Sequence, residues 1–152
     1  MAGTLKVDAP GADALSTSAD DSSARVGTVL AGRYLLHRVL GEGGMGAVYE
    51  ATQLNIGRRV ALKVVRADFA GDPTMAKRFQ REAKAAASVH HPNVIVVHEF
   101  GQTDDGTLFL VMELLEGESL SAGLKRVHRL APRDAIRITA EVLAGLEAAH
   151  KA

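Results

Sequence analysis

From Tyr34 onward the chain breaks into short runs of apolar residues set off by turn residues. Tyr34–Leu40 and Ala47–Thr52 alternate with the period of two expected of half-buried strands. Asn55-Ile56-Gly57-Arg58 is a turn signal. After it, Val60–Val65 reads as a third strand, apolar throughout except for Lys63. The pattern then changes. Asp72-Pro73 suits a helix start, with Asp as the cap and Pro in the first helical position. This helix is predicted to run to about Ser88, short of Pro92. Val94–Phe100 and Thr107–Glu113 are predicted as a fourth and a fifth strand, joined through the turn Thr103-Asp104-Asp105-Gly106. Two helices follow, near Ser119–Val127 and Pro132–His150. The order predicts an α+β fold: a five-stranded antiparallel sheet packed by one helix, then two further helices.

Upstream, periodicity is absent. Residues 1–26 are mostly Ala, Gly, Ser, Thr, Asp and Pro, with no aromatic side chain. Residues 1–32 are therefore expected to be a disordered, solvated tail preceding a folded unit over 33–152. The 18 Lys and Arg balance the 18 Asp and Glu, so no overall field draws the molecule to nucleic acid or to an anionic membrane. The absence of cysteine excludes disulfides, thiolate metal sites and a cysteine nucleophile. No apolar run approaches the roughly 18 residues of a membrane helix, and the N-terminus lacks the apolar centre of a signal peptide. A cytoplasmic location is expected. His90 and His91 are adjacent, so they point apart, and no H-E-x-x-H occurs; no metal site is expected.

Four glycines fall between Gly41 and Gly46, namely Gly41, Gly43, Gly44 and Gly46. Three of them fit G-x-G-x-x-G, a pattern that lets bare backbone lie against a phosphate. A dinucleotide-binding turn would have to open a helix. The residues from Ala47 to the Asn55 breaker are too few for that helix and are strand-like. A Walker-type loop needs Gly-Lys-Ser/Thr, which does not follow. Lys63, inside an apolar strand, shares a face with Ala61 and Val65 and needs an anion to offset its desolvation. Met75, Phe79, Glu82 and Ala86 are spaced four, three and four, which places Glu82 on the apolar stripe of its helix. A buried Lys63–Glu82 pair is the expected arrangement.

Together, LGEGGMGAV at 40–48, VALK at 60–63, the Glu82 helix followed by HHPNVI at 90–95, and FLVMELLEG at 109–117 resemble the N-terminal lobe of a protein kinase. The Gly-Gly-Met-Gly tip is similar to the bacterial serine/threonine kinases of eukaryotic-like type. The resemblance implies an N-lobe over 33–116 and the first helices of an incomplete C-lobe over 117–152. It implies that Gly41, Gly43 and Gly46, with Gly44 at the tip, cover the phosphates of ATP. Lys63 would hold the α- and β-phosphates, fixed by Glu82. Leu40, Val48 and Ala61 would wall the adenine pocket, Met112 would be its gatekeeper, and the backbone of Glu113 and Leu115 would meet adenine at the hinge. The implied activity is phosphoryl transfer from ATP to Ser or Thr of a protein substrate.

The catalytic-loop H-R-D and the D-F-G of that family do not occur in these residues. The proton-accepting Asp and the Mg2+ ligands of a complete domain are thus not in this sequence, and the chain alone is expected to be inactive. Between Ala135 and Ala149, ten of fifteen residues are Ala, Ile, Val or Leu, spread around the helix. Such a helix expects cover on several sides, from the rest of the domain or from a partner. The chain is expected to be part of a longer kinase. The alternatives are a stand-alone pseudokinase-like binding or regulatory module, and an enzyme completed by a second chain.

Overall fold

The computed structural model describes residues 22–65 and 73–152. The leader over 1–21, the Asp72 cap and the side chain of Met75 lie outside the described residues. The elements are β1 (Val29–Leu30), β2 (Tyr34–Gly43), β3 (Gly46–Gln53), β4 (Arg58–Val65), α1 (Pro73–Ser88), β5 (Val97–Gln102), β6 (Leu108–Glu113), α2 (Leu120–Val127) and α3 (Pro132–Lys151). The strands form one antiparallel sheet in the order β1-β2-β3-β4-β6-β5.

The sheet thus has six strands rather than the five expected, and the expected tail gives way to structure before residue 32. Val29 and Leu30 pair with Leu35 and Tyr34. Leu30 is only 8% exposed and belongs to the main core with Tyr34, Leu36, Tyr49, Leu62, Phe109 and Val111. Two backbone bonds fasten the segment, Gly27 N–H to Leu36 O at 2.8 Å and Leu36 N–H to Thr28 O at 3.0 Å. A strand of two residues has no period to read, and the polar residues around it hide its single core side chain.

The core lies on one face of the sheet, where Tyr34, Leu36, Tyr49, Ala51, Val60, Leu62, Val64, Phe109 and Val111 converge. Strand twist curls the sheet around them. The curl brings Tyr34 on β2 to Glu99 on β5, although β3, β4 and β6 separate those strands in the sheet order. The Tyr34 hydroxyl donates to Glu99 at 2.7 Å. Arg33 also pairs with Glu99 and lies 5.4 Å from the centre of the Tyr34 ring.

The helix α1 meets the sheet chiefly at β5, where Phe79 and Phe100 set their rings 5.7 Å apart. Strand β5 starts at Val97, later than expected, because Val94 N–H closes a turn on His91 O. Helix α2 begins at its Ser119 cap, whose hydroxyl accepts from Ala122 N–H at 3.1 Å. Helix α3 docks on the loop after α1. Asn93 Nδ2 donates to Glu141 O at 2.8 Å, and a Cβ on Gly145 would come within 2.9 Å of Asn93 O. Ile136, Val142, Leu143 and Leu146 on α3 are exposed. No helix among the described residues is long and apolar enough to cross a membrane.

Because Leu30 fills the core, Leu30→Ala should lower the unfolding free energy in a urea titration by about 2–4 kcal/mol. A change near zero would return residues 22–32 to a tail. A second expectation concerns alkaline pH. Burial, helped by the bond to Glu99, pushes the Tyr34 phenol up to about 12. Its contribution to stability is complete below the ordinary phenol value near ~10 and is lost as pH rises through the folded value. The stability difference between the parent chain and Tyr34→Phe should therefore shrink as pH rises from about 10 to about 12. A difference that stays constant across that window would remove Tyr34 as the cause.

Candidate functional site

Cross-strand register assembles the site. Gly41 is opposite Val48, Val48 is opposite Lys63, and Lys63 is opposite Leu110. Two residue pairs along, past Tyr49↔Leu62, Glu50 is opposite Ala61 and Ala61 is opposite Met112. Opposed residues in antiparallel strands point to the same face. A row Gly41–Val48–Lys63–Leu110 therefore crosses β2, β3, β4 and β6, with Glu50–Ala61–Met112 as the row beside it. This face is the reverse of the one that carries Tyr49, Leu62 and Phe109. The structure thus places Gly41, Val48, Ala61, Lys63 and Met112 on one face of the sheet. Lys63 is half-buried between Ala61 and Val65, both buried.

The glycines separate into two kinds. A Cβ on Gly46 would lie 2.0 Å from Val64 O, and its φ of 148° is one that L side chains rarely adopt. Gly46 is thus required by the fold, to let β4 approach. Around Gly41, Gly43 and Gly44 a Cβ would meet nothing within 4 Å, and none of the three has positive φ. The chain itself makes no steric demand for glycine there, and the space above the hairpin is open to a ligand.

The remaining wall and hinge positions sit at the margins of this face. Leu40 falls in a register irregularity between Val39 and Gly41 and is exposed. Glu113 ends β6. Its N–H donates to Val96 O, and its carboxylate accepts from Val96 N–H at 2.7 Å. Leu115 follows β6 and is exposed.

Glu82 departs from expectation. Its side chain is 62% exposed and accepts from Arg78 Nε at 3.0 Å, one turn earlier on the same helix. Lys63 forms no ion pair among the described residues, so the expected buried Lys63–Glu82 pair is not formed. The reason is helical phase. The line facing the sheet runs through Ala76, Phe79, Ala83 and Ala86, not through Glu82, which precedes Ala83 by about 100° of turn. The spacing of Met75, Phe79, Glu82 and Ala86 also fits a helix face, and both faces contain Phe79 and Ala86. Burial of Ala83 decides between them.

Sequence reasoning also missed the most buried charge of this face. Glu50 is 6% exposed. Its Oε1 accepts from Arg59 Nε at 3.1 Å, and its Oε2 lies 2.7 Å from the Arg38 guanidinium. The hydrogen bonds from Arg59 hold the carboxyl below the usual carboxylate range, opposed by burial and assisted by the charge of both arginines. The signal was the β2–β3 register, which no local pattern of charges reveals. Among the described residues, no three His, Asp or Glu side chains come together as metal ligands.

The division of the glycines has a measurable consequence. Gly46→Ala should lower stability by about 2 kcal/mol or more, from backbone strain and the Val64 contact. Gly43→Ala should stay within about 1 kcal/mol of the parent chain. Equal thermal melts for the two variants would show that Gly46 is not a required glycine.

The protein kinase domain family matches residues 34–152. PknA, a serine/threonine-protein kinase of Mycobacterium tuberculosis, is 42% identical over 134 residues, covering 86% of this chain and 31% of PknA. The serine/threonine-protein kinase pkn3 of Myxococcus xanthus is 43% identical over 132 residues, covering 87% of this chain and 24% of pkn3. The chain thus spans about a third or less of these curated relatives. Among solved structures, the M. tuberculosis PknI kinase domain superposes with a TM-score of 0.71 at 30% identity, over 83% of this chain and 51% of that one. The chain belongs to the protein kinase domain family.

Proposed function

We propose that this chain supplies the nucleotide grip of a serine/threonine protein kinase, with ATP held on the face that carries Lys63. The observation that carries the reading is the row Gly41–Val48–Lys63–Leu110 beneath glycines that the fold does not itself require. When bound, ATP would supply the phosphoryl group for transfer to a protein Ser or Thr.

The chain's own residues would divide the work. Backbone N–H groups of the Gly41–Gly46 hairpin would donate to phosphate oxygens, where a side chain would keep the ligand away. The Lys63 ammonium, without an ion-pair partner among the described residues, would meet the α- and β-phosphates and recover the cost of its partial desolvation. Val48, Ala61 and Leu40 would offer apolar contact to the base, with Met112 behind it, and the backbone at Glu113 and Leu115 would meet its polar edge. For Glu82 to steady Lys63, α1 must roll toward the sheet and the Arg78 contact must break. That exposed i,i+4 pair is worth only about 0.3–0.5 kcal/mol, so it does not bar the change.

No His-Arg-Asp or Asp-Phe-Gly occurs in the sequence. The chain therefore brings no group of that kind to accept the substrate proton or to hold Mg2+. Transfer is proposed for a complete domain, with these residues gripping the nucleotide. The apolar residues exposed on α3 support this reading, since they suit a surface on which further residues of such a domain would pack.

Calorimetric titration with ATP tests the grip. The parent chain should bind, and Lys63→Ala should weaken binding about tenfold or more. Glu82→Ala should stay within about twofold, because Glu82 is engaged by Arg78 in this arrangement. A parent chain that does not bind, or a Lys63→Ala variant that binds as the parent does, would overturn the proposal. Transfer of phosphate to a protein by the purified chain would overturn the expectation that it grips without catalysing.

A further inference from the structure

The glycine hairpin is only as well placed as the strand that leads into it, and that strand is irregular. β3 pairs with β4 without interruption from Gly46↔Val65 to Gln53↔Arg58. β2, by contrast, slips against β3 twice, between Leu36 and Arg38 and again between Val39 and Gly41. Each slip is a place where pairing can shift by a residue, and a shift of one residue exchanges the two faces of a strand. Nothing in the backbone pattern alone prevents Gly41 and Gly43 from sliding past Val48.

Arg38 lies between the two slips, opposite Glu50. The Glu50 carboxylate is buried beside it, with Arg38 on one oxygen and Arg59 on the other. Arg59 belongs to β4, where register is already fixed by continuous pairing. We propose that the Arg38–Glu50 ion pair pins the register of β2 and so positions the glycine hairpin over Lys63. A buried carboxylate suits this task because a slipped register would take Arg38 away from Oε2 and leave Arg59, on the other oxygen, as the one guanidinium beside a buried charge, whereas an apolar contact would tolerate the slip. Glu50 and Arg38 are then positioning residues: they act through the hairpin backbone and touch no phosphate. Their effect on nucleotide binding rests on the reading that this face holds ATP; their effect on register does not.

Two variants remove the same charge from the same carboxylate, so their comparison isolates register from stability. Arg38→Gln takes away the partner on the slipping strand, and Arg59→Gln takes away the partner on the locked one. Hydrogen exchange of the 41–48 amides, measured on the full chain without nucleotide, should accelerate about tenfold in Arg38→Gln and stay within about twofold in Arg59→Gln. Equal acceleration in both, or none in either, would overturn the pin. Parallel titrations with ATP and with adenosine address positioning. ATP affinity should fall about tenfold in Arg38→Gln and adenosine affinity no more than about twofold, because the phosphates depend on the hairpin while the base loses only its Leu40 contact and keeps Val48, Ala61 and the hinge. Neither affinity should change in Arg59→Gln. If ATP and adenosine weaken together in Arg38→Gln, the pair is merely structural. If the parent chain binds neither ligand, the nucleotide reading fails while the exchange result still decides the register.

Discussion

The structure turns on a strand that is buried on both faces and nevertheless carries an ammonium. Val60, Leu62 and Val64 of β4 face the core, while Ala61 and Val65 are buried on the reverse side. Lys63 is the one polar side chain among them from Val60 to Val65. Partial burial of a cation is unfavourable unless an anion answers it. Among the described residues no carboxylate does so. The cross-strand register places Val48 and Leu110 on either side of it and aligns Gly41 beyond Val48. A site made this way is defined by what it lacks: a negative charge at Lys63 and side chains above the hairpin.

The glycines show how one motif can serve two masters. Gly46 satisfies the fold, since a side chain there would collide with the β4 backbone. Gly41, Gly43 and Gly44 satisfy no steric requirement of the folded chain. They cost conformational entropy on folding. A residue type that weakens the fold, at positions where the fold does not need it, points to a demand from outside the chain.

Much of this was legible in the sequence because its signals were local. Alternation gave β2 and β3, short apolar runs between turn signals gave β4 and β6, the Pro and Ser signals gave the starts of α1, α2 and α3, and strand period put Lys63 on one face with Ala61 and Val65; the row across the strands came only with their pairing. What was missed depends on pairings between distant residues. Leu30 joins the core from a strand too short to have a period. Glu50 looks like an ordinary exposed acid on a half-buried strand until β2 and β4 bring Arg38 and Arg59 to it. Glu82 was placed on the wrong side of its helix because Phe79 and Ala86 fit two overlapping faces. Only the packing against β5 shows that Ala83 is the buried one.

The same packing holds α1 more lightly than it holds the sheet. The curled sheet is closed by Tyr34 and Arg33 on Glu99, which joins β2 to β5 around a core of large buried side chains. Truncating one of the large core side chains would open a cavity at a cost of about 2–5 kcal/mol, whereas the partly exposed Arg33–Glu99 pair contributes about 1 kcal/mol or less. α1 has a different hold. It meets the sheet chiefly at β5, through Phe79 on Phe100 and a line of small alanines. Alanines bury little area, so α1 is held chiefly by its Phe79 contact and by the burial of Ala83. The Arg78–Glu82 pair is too exposed to add much to that hold. Lys63 therefore stands on the more firmly held part of the fold, and Glu82 on the more lightly held one.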